Sequence, residues 1–193
     1  MSGMRKILCT VIACVALAAS PVSHPRAQQP AASQSKAPHF KEYRVAVSRD
    51  RVTPLDLRSH TLARHYRTLL RQQQRDEGVN FAGRYTLASV GCGTGCSITA
   101  IIDARTGKAY FPTELNGWTG IVGDYEPREG EEPWEYHANS RLLRATGRPN
   151  IGDPLEERHG PSGIYYYAWD GARLLKVGFI YVGSYPETDP PKN

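Results

Sequence analysis

Two runs of alternating apolar residues, separated by a turn of glycine and cysteine, constrain this chain more than any other feature. Tyr85 and Leu87 alternate with Arg84 and Thr86, Ile98, Ala100 and Ile102 alternate with Thr99 and Ile101, and Gly91-Cys92-Gly93-Thr94-Gly95-Cys96 stands between them. A period of two is the spacing of a half-buried strand, so the unit reads as an antiparallel hairpin whose glycines supply the backbone that a tight reversal needs. Opposed residues of such a hairpin bring their Cα atoms about 4.5 to 5.5 Å apart, within reach of a disulfide. A loop of five residues closed in this way is worth about 2 kcal/mol, at the low end for a disulfide, so its effect is local stiffening. Structural bonding, redox or nucleophilic chemistry, and metal ligation all remain open for Cys92 and Cys96. A reactive thiolate needs a base or a cation beside it, and the candidates His60, His65, His137 and His159 all lie far away in sequence. Two thiols do not by themselves specify a metal site, so no metal or cofactor is assigned.

The rest of the chain extends this pattern. Tyr43, Val45 and Val47 read as a strand, and Asp103 to Lys108 as a turn that returns the chain through a strand at Ala109 to Phe111. Ser59 is a good N-cap for an amphipathic helix whose stripe is Leu62, Tyr66, Leu69 and Leu70, ending at Gly78. Pro112 to Ala138 reads as a long loop with a short strand around Ile121. Arg141 to Ala145 is a further strand, and Ile164 to Trp169 with Ala172 to Val177 form a hairpin closed at Asp170-Gly171. The fold expected is α+β: an antiparallel sheet of hairpins and meanders, with one N-terminal amphipathic helix packed on a face. A small β-sandwich is the alternative.

Residues 1–27 read as a signal peptide, with Arg5 and Lys6 ahead of an apolar run from Ile7 to Ala19 that is too short to span a bilayer. Cleavage after Ala18 or after Ala27 is expected. No transmembrane segment remains, and the protein is placed in the periplasm or outside the cell. A lipobox ending at Cys14 offers lipid anchoring as the alternative. Residues 28–39 read as a disordered linker, 40–185 as one globular domain and 186–193 as a flexible tail. Cys9 and Cys14 leave with the signal, so only Cys92 and Cys96 of the four cysteines belong to the domain.

The apparent charge of +5 also shrinks, because setting aside Arg5, Lys6 and Arg26 leaves 21 basic residues against 19 acidic ones. That balance gives no support to nucleic-acid binding. Lys41 to Arg75 is predominantly basic and Asp124 to Glu135 predominantly acidic, which gives the molecule two electrostatic faces.

The usual catalytic patterns are missing. The glycines around Cys92 are followed by a strand and no Lys-Ser or Lys-Thr, so they are not a phosphate loop. Ser162 lacks the Gly-x-Ser-x-Gly pattern of a nucleophile elbow. The acid pairs Glu131-Glu132 and Glu156-Glu157 sit in Gly- and Pro-rich loops that favour solvation. One candidate surface site remains: Thr94 at the turn, His137, and Tyr165, Tyr167 and Trp169, which share one face of a strand and offer a stacking platform if that face is exposed.

Five segments together carry a resemblance: Asn80-Phe81-Ala82-Gly83-Arg84-Tyr85, the Gly91 to Cys96 turn, Ile101 to Lys108, Ser140-Arg141-Leu142-Leu143, and Tyr167-Ala168-Trp169-Asp170-Gly171. The chain resembles a group of uncharacterised secreted proteins of Gram-negative bacteria, over roughly Arg64 to Val177. The resemblance implies no activity. Members of that group carry a second cysteine pair where this chain has Pro112-Thr113-Glu114-Leu115, so a four-thiol site is not implied here. The functional expectation is a monomeric, non-enzymatic binding or inhibitory module acting on an unknown component of the bacterial envelope. A thiol-dependent enzyme or redox protein using Cys92 and Cys96 is the alternative, and whether the protein is an enzyme stays open.

Overall fold

A computed structural model describes residues 37–93, 95–120, 133–151 and 159–182. The expected signal peptide, most of the linker, Thr94, Ile121, the acidic run up to Glu132, the Glu156-Glu157 pair and the tail lie outside these residues.

The alternating runs form the expected hairpin. Strand β1 (Tyr85–Gly93) pairs antiparallel with β2 (Cys96–Asp103), from Tyr85 opposite Asp103 to Gly93 opposite Cys96. The β-branched residues Ile98, Thr99, Ile101 and Ile102 suit the pleated surface of β2. The other edge of β2 is shared: β3 (Ala109–Tyr110) pairs at Ile101 and Ile102, and β4 (Asn116–Thr119) pairs further along at Cys96 to Ile98. Gly107 makes the turn before β3 with φ 72°, a left-handed conformation that glycine adopts without steric cost.

The second sheet is a simple meander of β5 (Trp134–Tyr136), β6 (Leu142–Gly147), β7 (Gly163–Trp169) and β8 (Leu174–Tyr181). Its odd-numbered residues Leu143, Ala145, Tyr165, Tyr167 and Trp169 pack against Tyr85, Leu87, Ile101 and Trp118 of the first sheet. Rings interlock across this layer: Trp118 meets Tyr165 at 5.4 Å and Tyr85 meets Trp169 at 5.5 Å, both edge to face.

Here the structure corrects the α+β expectation. The fold is mostly β, with two four-stranded antiparallel sheets face to face in a sandwich-like arrangement. The second hairpin carries a row of large aromatics on one face, and burying them requires another apolar surface. The face of the first sheet supplies it, so the strands form two layers and not one continuous sheet.

The helical segment is a cover on the outer face of the first sheet. It is broken at Tyr66 into α1 (Thr61–His65) and α2 (Arg67–Glu77), and it buries Ala63 and Leu70 against Ala88, Val90, Ala100 and Ile102. His60, not Ser59, caps its start: His60 Nδ1 accepts a hydrogen bond from the Leu62 N–H at 3.1 Å. Ser59 Oγ instead accepts from the Ala109 N–H at 3.1 Å and so ties the loop to the sheet. Gly78 ends α2. No helix among the described residues is long and apolar enough to cross a membrane.

Two further readings change. Residues 40–43 form a turn of 3-10 helix, and the following extended stretch meets the second sheet only at the Arg44–Ser140 bridge, so the strand expected at Tyr43 to Val47 is absent. The Pro112 to Ala138 segment, read as a loop, contributes β4 and β5. Ala37, Phe40 and Tyr43 cover Leu142, Ile164 and Tyr166 on the outer face of the second sheet.

Candidate functional site

Antiparallel pairing brings the start of β1, the end of β2, the start of β6 and the end of β7 to one end of the molecule. The turns there carry charged residues that face a cleft of about 470 Å³. Its walls come from four separated stretches: the turn 82–85, Arg105, Arg141, and Trp169 to Gly171, with Ala46, Val47, Ser48 and Asp50 closing one side.

The turn before β1 carries backbone strain. Phe81 and Tyr85 exchange both backbone hydrogen bonds at 2.9 Å and so close a tight loop around Ala82, Gly83 and Arg84. Ala82 is held at φ 48°, the one non-glycine residue in the left-handed region among those described. Such a conformation costs an L-residue about 1 to 2 kcal/mol, and the surroundings enforce it. The Ala82 N–H donates to the Ser140 carbonyl at 3.1 Å, the Gly83 N–H to the Ala138 carbonyl at 2.7 Å, and the Ser48 N–H to the Gly83 carbonyl at 2.7 Å. A side chain on Gly83 would drive into the Ala46 carbonyl, so glycine is the residue that lets these segments meet.

Arg84 leaves this turn with fixed partners. Its guanidinium lies 3.3 Å from the buried Asp103 carboxylate and donates to the Tyr85 hydroxyl at 3.0 Å. Burial works against its charge, but Tyr85 and Asp103 outweigh burial and raise its pKa. Asp103 also accepts the Arg105 backbone N–H at 2.8 Å, which sets the course of the next turn. Asp170 closes the β7–β8 turn by accepting the N–H groups of Ala172 and Arg173 and the Arg173 guanidinium; these bonds lower its pKa.

Arg105 and Arg141 differ from Arg84. Both are exposed, and among the described residues neither side chain has an ion-pair partner. Two of the lining residues also carry a buried donor without a partner: Arg84 Nε and Trp169 Nε1 have no hydrogen bond among the described residues. The cleft therefore gathers the exposed, unpaired charges of Arg105 and Arg141 beside the buried residues Tyr85 and Trp169.

The candidates read from the sequence fall elsewhere. Tyr165, Tyr167 and Trp169 do share one face of β7, but that face is the buried layer between the sheets, with exposures of 4, 2 and 1 %. Their rings serve as core and not as a platform. Burial raises the pKa of Tyr165 to about 12 and that of Tyr167 higher still, because neither phenolate finds solvent. Only Trp169 among them reaches the cleft wall. His137 is exposed, packed edge-on against Phe40 at 4.4 Å and 3.5 Å from Glu135. Thr94 lies outside the described residues.

Cys92 and Cys96 are joined in a disulfide with a Cα separation of 5.2 Å, beside a bulge between Gly91 and Gly93. The bond sits at the far end of the β1–β2 hairpin from the cleft, roughly 25 Å away by strand rise. Of the candidate bases, His60 caps α1 and stacks on Phe111, His65 packs on Tyr66, and His159 bridges to Asn150. None of these contacts involves a cysteine.

Arg84, Arg105, Arg141 and Asp50 were not singled out from the sequence as site residues, because a surface arginine in a turn has no periodic signature. A usable signal lay in their placement, since each arginine sits in or beside a turn that joins recognisable strands. Comparison with protein-family models, curated proteins and solved structures gives no match.

Proposed function

We propose that this protein is a non-enzymatic binding module of the bacterial envelope, periplasmic or secreted, that takes its ligand in the arginine-bearing cleft. The observation that carries this reading is the convergence of Arg84, Arg105 and Arg141, from three separate turns, beside the strained Ala82 turn. Maintaining a left-handed alanine is costly, and such strain concentrates where a surface is being shaped for a ligand. The groups around the cleft suit holding more than bond-breaking: Arg84 is bound to Asp103, Ser48 Oγ donates to Asp50 at 2.8 Å, and Asp170 is spent on its own turn. A thermal-shift screen of envelope polymers and periplasmic extracts tests the reading. Stabilisation that disappears in Arg141→Ala supports it; stabilisation by nothing, or stabilisation unaltered in that variant, refutes it.

Thiol chemistry is the second reading, favoured by the exposed position of Cys92 on a glycine-flanked turn. Alkylation of the native protein without reductant, followed by mass spectrometry, decides it. A reactive free thiol supports a thiol-dependent enzyme, and two oxidised, unreactive sulfurs exclude that enzyme.

A further inference from the structure

We infer that the cleft selects a monoanionic oxyacid group, a carboxylate or a phosphodiester, with Arg105 and Arg141 as the binding residues and Arg84 as a positioning residue. This rests on the reading of the cleft as a ligand site. Charge pairing around the cleft leads to it. Arg84 is offset by Asp103 at 3.3 Å, and Asp170 by Arg173 at 3.1 Å. Arg105, Arg141 and Asp50 remain, two positive groups and one negative, which complement a single negative charge. A guanidinium presents its donors in a planar fork that matches two oxygens of a carboxylate or phosphate. Arg84 already commits its Nη2 to both Asp103 and Tyr85, which holds its guanidinium in place, so its role is to fix the wall beside the ligand. A phosphomonoester dianion fits less well, because its second charge meets the Asp50 carboxylate without a further cation to offset it.

The site also has a low-dielectric side. Trp169 and Tyr85 are buried at its floor, and charge-assisted hydrogen bonds gain strength where water is displaced. The exposed position of Arg105 and Arg141 makes the initial capture electrostatic and therefore dependent on ionic strength.

The test is titration of the isotope-labelled protein with four probes, read from the backbone amides of the cleft turns and the Nε–H signals of Arg105 and Arg141. Glucuronate and dimethyl phosphate represent the two monoanions, glucose the neutral control and glucose 6-phosphate the dianion. Either or both monoanions are expected to bind, each weakened about tenfold or more by Arg105→Gln and by Arg141→Gln, as loss of a charge-assisted pair implies. Both side chains are exposed, so these variants keep the fold, and Arg71→Gln, on the exposed face of α2 and outside the cleft lining, serves as an off-site control. Which monoanion binds tells a carboxylate source from a diester source. Asp50→Asn is expected to improve glucose 6-phosphate binding selectively. Glucose binding as well as glucuronate overturns the anion class while leaving the cleft as a binding site. Monoanion binding unchanged in both arginine variants overturns the assignment of the residues. No response at the cleft to any probe overturns the inference together with the binding reading.

Discussion

Replacing Trp118 and Trp169 by phenylalanine, one at a time, separates two buried tryptophans that differ mainly in one hydrogen bond. Each is 1 % exposed, and each makes two edge-to-face ring contacts: Trp118 with Trp134 and Tyr165, Trp169 with Tyr85 and Tyr110. The packing lost on trimming an indole to a phenyl ring is therefore similar, about 1 kcal/mol for the apolar area given up. The N–H groups are not similar. Trp118 Nε1 donates to the Thr146 carbonyl at 3.2 Å, whereas Trp169 Nε1 has no partner among the described residues. Trp118→Phe removes a donor from a buried acceptor, a further loss of about 1 to 3 kcal/mol, for about 2 to 4 kcal/mol in total. Trp169→Phe removes a buried N–H that already lacks a partner, so relief of its desolvation offsets the lost packing and the variant stays within about 1 kcal/mol of the parent. Urea unfolding followed by far-ultraviolet circular dichroism measures both without relying on tryptophan emission, and unchanged m-values license the comparison. Equal losses, or a larger loss for Trp169→Phe, would refute the assignment of the Trp169 N–H as unsatisfied.

Gly107→Ala places a side chain against the Pro54 carbonyl at φ 72°, and the combined clash and strain should cost about 2 to 4 kcal/mol in denaturant unfolding; a neutral result would show that the 53–56 segment moves freely. Reduction of Cys92–Cys96 should lower stability by about 2 kcal/mol with no loss of β-sheet signal, because the closed loop is short and the register of β1 with β2 extends well beyond it. Burial raises the folded-state pKa of Tyr165 to about 12 from the usual value near 10, so the neutral phenol is the form the fold favours. Its contribution is complete below pH 10 and falls as pH rises to 12, and Tyr165→Phe should flatten that part of the pH–stability curve.

The strands of the first hairpin could be read directly because polar and apolar residues alternate where β1 begins, and because glycine punctuates both ends. The helical segment was visible only in part: Tyr66 and Leu70 do pack on the sheet and Gly78 marks its end, but Leu69 is half exposed, Ala63 and not Leu62 is buried, and the segment breaks at Tyr66. The number of sheets was harder to see. All six residues of β6 and all seven of β7 are buried, since the first sheet covers one face and residues 37–43 the other. A strand covered on both faces loses its alternation, so nothing in the sequence of β7 says which layer it will face. Tyr43 was read as the start of a strand because its spacing with Val45 and Val47 suits one, yet it packs with Phe40 as a cover. The disulfide followed from local geometry. The cleft did not, since Arg84, Arg105 and Arg141 become neighbours only when β1–β2 and β6–β7 end at the same place.

The cover formed by residues 37–43 also sets an order of events. The Ser140 hydroxyl donates to the Phe40 carbonyl across 100 positions of sequence, and the Arg141 N–H donates to the Tyr43 carbonyl. Closing a flexible loop of that length costs about 4 kcal/mol in chain entropy before any contact is rewarded. The β1–β2 hairpin meets no such barrier, because its two strands are joined by a turn of a few residues. A chain made from its N-terminus must therefore keep Phe40 and Tyr43 waiting until β6 and β7 exist, so a segment made ahead of every strand docks among the last.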